Sequence, residues 1–266
     1  MDRCDREPDR AERHATKILI AGACHVEGFK VGRQVAFPAC LKHRLLGRNL
    51  IAEVKTMSIL SFKDFSLIAE VCKAERPDVL ILQLGNYESV QLFQKAYRKL
   101  LRRRSKPKPR RRPSSVSAVP DYGPSDPLPT SGHLGMSRRL VMTAKYLADS
   151  ILGHCLLDTA RLETVLTEGL SLLRESPFGT LVVMSPLPCL DPMTLRYRNE
   201  IGTIMELSAN AVGAVYLNLL DGSWWSPEFH WDHMHLGARG HARLAEEIDR
   251  TLLGIRLWCA VIPSGT

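Results

Sequence analysis

The sequence predicts a three-layer α/β/α domain built on a five-stranded parallel sheet. Short β-prone apolar runs alternate with helical patterns along most of the chain. Such alternation implies parallel strands joined by crossover helices, with helices on both faces of the sheet. The 266 residues suit one α/β domain with an insertion. At 45% hydrophobic and 24% charged, the composition supplies a sizeable core.

The first strand is read at Lys17–Gly22 (KILIAG), and Ala23–Gly28 (ACHVEG) as a turn entering a helix. Leu50–Met57 is a second β-prone run, and Phe62–Glu75 is helical. Pro77-Asp78 punctuates before a buried strand, Val79–Leu84. A helix is expected over Val90–Arg103. Helical pattern returns over Ser137–Arg174, broken near Gly153. The remaining elements are a strand at Thr180–Ser185, a helix at Thr194–Ala211, a strand at Ala214–Leu219 and an amphipathic closing helix at Gly237–Leu253. The expected organisation is a polar tail over residues 1–16, one domain over 17–255 and a tail over 256–266. A basic, Pro/Ser-rich insertion at about 102–135 has little to bury and is expected to lack order.

The net charge of +8 has a local origin. Residues 98–112 carry ten Lys/Arg and no acid, and without them the chain would be slightly acidic. Arg102–Arg112 can attract nucleic acid or another anion through counterion release. Interleaved prolines and missing aromatics argue against a reader of bases, and a solvated charged loop is the plainer reading. No apolar run reaches the length of a membrane span, and the charged first 17 residues lack a signal peptide's apolar stretch. Seven scattered cysteines fit reduced thiols. A cytoplasmic location is the expectation.

A parallel sheet binds ligands beyond the carboxyl ends of its strands, near the switch in strand order. Three motifs fall at such ends: Ala23-Cys24-His25, Gly85-Asn86-Tyr87-Glu88, and Asp232 to His235. The last is the most informative. Asp and His three apart in a loop before a helix can share one pocket, the imidazole as general base and the carboxylate as its orienter. Read structurally, the same residues cap the closing helix. His230, His233, His235 and Asp232 also form a histidine-rich cluster, but their spacing matches no standard zinc pattern, and no metal is assigned.

Asp232-His233-Met234-His235-Leu236, followed by Gly240-His241-Ala242-Arg243-Leu244-Ala245, resembles the last block of the SGNH/GDSL hydrolases. Gly22-Ala23-Cys24 stands where that family has its G-D-S turn, and Gly85-Asn86-Tyr87-Glu88 where it has G-x-N-D. The resemblance runs from about residue 17 to 253. It implies a flavodoxin-like, SGNH hydrolase-like sheet and esterase or acyltransferase chemistry on a small-molecule or carbohydrate ester, such as an O-acetyl group. Carried over by position, Cys24 is the nucleophile, His235 the base and Asp232 its orienter. Cys24, Gly85 and Asn86 then form the oxyanion region. A thiol at a helix start beside an imidazole would be activated.

The departures are Ala23 at the family's aspartate and no counterpart of the second-block glycine near Met57-Ser58. Ungapped alignment also puts Tyr87 on the family's asparagine; Asn86 is preferred because an amide can donate. Ala23-Cys24-His25-Val26-Glu27-Gly28 also resembles the turn of cysteine-dependent capsule-polysaccharide acetyltransferases. That similarity implies acyl transfer, coenzyme A as a cofactor, and His25 and Glu27 as site residues. Tyr87 and Trp231 are further candidates for the substrate pocket, with Trp224 and Trp225 beside the latter; core packing is the alternative for these tryptophans. A binding protein on the same fold, with Cys24 simply a small buried residue, is the non-catalytic alternative.

Overall fold

The structure, a computed structural model, describes residues 15–59, 61–86, 117–118, 159–224, 226–232 and 234–255. Its parallel strands are β1 (Thr16–Gly22), β2 (Ala52–Ser58), β3 (Val79–Gln83), β5 (Thr180–Met184) and β6 (Val215–Leu217). A two-residue strand, β4 (Ser117–Ala118), pairs antiparallel with β2. The sheet order is β4-β2-β1-β3-β5-β6. The five parallel strands thus have the flavodoxin-like order, and the three-layer α/β/α architecture expected from the sequence is present. β4 is the described part of the basic, Pro/Ser-rich stretch; Arg102–Arg112 and the helix read at Val90–Arg103 lie outside the described residues.

Helices α1 (Phe37–Gly47) and α5 (Ala238–Gly254) cover one face. Helices α2 (Phe65–Glu75), α3 (Thr159–Arg174) and α4 (Pro192–Ala211) cover the other. The strands are apolar on both faces because both are covered. In β1, Ile18 and Ile20 join the cluster under α1 and α5, while Leu19 and Ala21 join the one under α2, α3 and α4. In β3, Val79 and Ile81 follow the first pair, and Leu80 and Leu82 the second. The period of two in a pleated strand produces this split.

Two sequence expectations change here. Ala23–Gly28 does not open a helix: residues 24–31 form successive turns, and α1 starts only at Phe37. Gly28 explains the break, since its φ of +68° is closed to a regular helix and costly for a residue with a side chain. The sequence reading also left out α1 itself.

α1 is fastened to α5 by charge. Asp249, almost fully buried, holds Arg44 at 3.3 Å and Arg48 at 3.0 Å. The register Gly22↔Ser58 and Gly22↔Gln83 brings the carboxyl ends of β1, β2 and β3 level. The sheet's winding changes direction at β1, where β2 lies on one side and β3 on the other. A crevice forms at such a switch point, and the site residues come from the loops around it.

Candidate functional site

The loop after β6 folds around Asp232. Its Oδ1 accepts the N–H groups of Met234 and His235, each at 2.8 Å. The Trp231 N–H closes the loop on the His235 carbonyl at 2.9 Å. This is the local turn chemistry that favours Asp at its first position. The same carboxylate meets His235 Nδ1, at 3.0 Å from Oδ1 and 3.1 Å from Oδ2. The spacing of three therefore fixes the main chain and the ring together. Asp232 does not cap α5, whose N-cap is Gly237.

The charges of this pair reinforce each other. Burial opposes the ionised form of Asp232, but hydrogen bonds from the His235 ring and the loop amides outweigh it and draw the carboxyl down to about 2. Burial likewise opposes protonation of His235. Its hydrogen bonds with Asp232 and Cys24 prevail and push the imidazole up to about 9. With Nδ1 on Asp232, Nε2 is the nitrogen left for proton transfer.

His25 lies behind His235, with ring centroids 5.5 Å apart. It is 2% exposed, and its pKa is held well below the ordinary value, by burial first and then by His241, His235 and Arg198. The ring is therefore neutral. Its Nε2 accepts the Leu236 N–H at 3.3 Å, which leaves the proton on Nδ1. Nδ1 lies 3.4 Å from Cys24 Sγ and 3.4 Å from Asn86 Nδ2.

Asn86 follows β3 and is buried. Its Oδ1 accepts the Leu187 N–H at 2.7 Å, which aims the NH₂ group toward His25. Gly85 turns the chain there at φ +88°, and a side chain on it would press within 2.7 Å of Pro186. The strap Pro186-Leu187-Pro188 after β5 is held by Arg198 of α4, 2% exposed. Its Nη1 donates to the Leu187 and Pro188 carbonyls at 2.5 and 3.2 Å.

These contacts bring Cys24, His25, Gly85, Asn86, Asp232 and His235 together. Glu27 is paired with Arg33 at 2.5 Å. Trp231 is half-buried in the Asp232 loop, and Trp224 is in the core beneath Arg243. Tyr87, Trp225 and His233 lie outside the described residues. Among the described residues no His/Cys/Asp/Glu group has metal-binding geometry, and no helix is long and apolar enough to cross a membrane.

Sequence reasoning missed Arg198, Leu187 and Phe29. Phe29 is 45% exposed and packs on His235 with ring centroids 4.7 Å apart. Arg198 left a trace in the sequence: it shares a helical stripe with the buried Ile201 and Met205. Leu187 acts through its main chain, which no residue type reveals.

The structure is similar to acetylxylan esterase Axe2 from Geobacillus stearothermophilus, at 14% identity and a TM-score of 0.54, over 90% of this chain and 95% of that one. It is similar to the acetyl xylan esterase AlAXEase at 12% identity and a TM-score of 0.52, over 92% and 100%. The chain shares the fold of these proteins. At this identity the esterase likeness extends to the fold alone. No protein-family model matches the chain, and no curated protein matches it.

These esterases correct one expectation from the sequence. Axe2 has been solved as catalytic mutants at a serine and at a histidine, each replaced by alanine. The catalytic positions of Axe2 are thus a serine and a histidine, and the expected Cys24–His235–Asp232 triad with a cysteine nucleophile, with its acetyltransferase echo, does not stand. Cys24 sits in a run of turns, 13 residues ahead of α1, so the helix N-terminus expected beside it is not there.

Proposed function

We propose that the protein is an ester hydrolase acting on O-acetyl groups of a small carbohydrate, with His235 as the proton-transfer group and Asp232 as its orienter. The observation that carries this reading is the two-oxygen contact of Asp232 with His235 Nδ1 at 3.0 and 3.1 Å. It fixes the tautomer and turns Nε2 to the crevice. The acetylxylan esterases of the same fold supply the substrate class.

With no serine at the head of the crevice, water is the attacking group. His235 Nε2 takes a proton from water as its oxygen adds to the acetyl carbonyl. The carbonyl electron pair moves onto oxygen, where the Cys24 main-chain N–H, Gly85 and Asn86 form the receiving region. On collapse the C–O bond to the sugar breaks, and His235 returns the proton to the leaving oxygen. Acetic acid and the free alcohol result.

Acetate release from peracetylated methyl xyloside tests this route. Cys24→Ala is expected to retain turnover within about threefold, and mass spectrometry under turnover to find no acetylated protein. Cys24→Ser, which supplies the hydroxyl of the similar esterases, is expected to raise turnover. Loss of activity in Cys24→Ala, or a trapped acetyl adduct, would refute attack by water.

A further inference from the structure

We propose that His25 is a catalytic residue: its Nδ1–H, side by side with the Asn86 amide, donates to the oxyanion formed on the ester carbonyl. The inference rests on the hydrolase reading above and supplies the donor that the sequence leaves unassigned, since no glycine stands after β2 where the second block would place one.

Three observations carry it. The Leu236 N–H occupies His25 Nε2 at 3.3 Å, so the ring's single proton is on Nδ1 and its direction is set by the fold. The Leu187 N–H occupies Asn86 Oδ1 at 2.7 Å, so the NH₂ end of that amide faces His25. Nδ1 and Nδ2 then stand 3.4 Å apart. Two N–H groups cannot bond to each other, but a single oxygen beside them can accept from both. The resting neighbour of Nδ1–H is the Cys24 sulfur at 3.4 Å, a weak acceptor that an oxyanion would outcompete.

The surroundings suit the task. His25 is 2% exposed and neutral, so it gives a hydrogen bond without giving up its proton. Its ring stands 5.5 Å from that of His235, centroid to centroid, so the two rings share one locality. A donor in a dry, preset position strengthens as charge develops on the oxygen, and so acts on kcat more than on KM.

The test pairs kinetics with a binding measurement that needs no turnover. In His25→Ala, kcat for acetate release is expected to fall about 10²- to 10³-fold with KM within about threefold. His25→Asn, whose side-chain N–H reaches the place of Nδ1–H, is expected to recover part of the loss. Methylphosphonate, a tetrahedral anion, is titrated calorimetrically against the same proteins. Its affinity should drop at least tenfold in His25→Ala and partly return in His25→Asn. If His25→Ala fails to fold, His25→Asn and His25→Leu carry both measurements.

Unchanged kcat in a folded His25→Ala would overturn the proposal. So would equal loss in Ala and Asn with methylphosphonate affinity unmoved, because that pattern marks a structural prop. A wild-type protein that releases no acetate but binds methylphosphonate through His25 would sink the hydrolase reading and keep the donor pair. Binding indifferent to His25 would sink the pair as well.

Discussion

His235 and Asp232 titrate in opposite directions, and activity and stability answer to them differently. Asp232 falls from an ordinary 3.8 to about 2, so the stability it contributes is present above 3.8 and lost as pH drops through 2. That contribution is of the order of 2 kcal/mol. His235 rises from 6.5 to about 9, so its contribution is full below 6.5 and lost as pH climbs through 9. The proposed proton transfer needs the opposite form, the neutral ring. The expected kcat/KM profile for acetate release therefore climbs through the alkaline range with a midpoint near 9. Asp232→Asn removes the charge that holds the protonated ring. Its midpoint should move toward neutral pH and its plateau fall about 10³-fold. A profile in Asp232→Asn superimposable on wild type would separate the carboxylate from the reaction.

At the scale of elements, α4 reaches the site through its one buried cation. Arg198 holds the Leu187 and Pro188 carbonyls, and the Leu187 N–H in turn holds Asn86. Arg198→Met would leave both carbonyls buried without that donor, at a cost of about 1–3 kcal/mol each. Thermal unfolding by circular dichroism should show a fall of roughly 5–10 °C, with acetate release reduced as Asn86 loses its anchor. An unchanged midpoint would mean that the strap holds its shape without the guanidinium. This chain of contacts also marks where the sequence stops being informative. Asp232 and His235 were legible because their contact is local and a spacing of three is enough to make it. Asn86 was preferred over Tyr87 on the donor chemistry of its amide, yet nothing in the sequence tied it to Leu187, 101 residues away.

For the molecule as a whole, strands β1, β3 and β5 were readable because burial on both faces demands unbroken apolar runs. Helix α1 was not, because its sequence FPACLKHRLLG has only a weak apolar stripe and the Cys24 turn ahead of it imitates a helix start. The two-residue β4 has no local signature, since its pairing with β2 is decided by tertiary contact. What the sheet does reliably is bring the ends of β1, β3 and β6 to one rim. The Leu236-to-His25 hydrogen bond spans 211 residues of sequence to close that rim.

The most direct measurement is acetate release by His235→Gln from peracetylated methyl xyloside at pH 9, beside the wild-type protein. Proton transfer at Nε2 predicts an active wild type and a variant slower by about 10³-fold with its fold intact. Equal rates in the two proteins would contradict the assignment of this histidine, and with it the hydrolase account of the crevice.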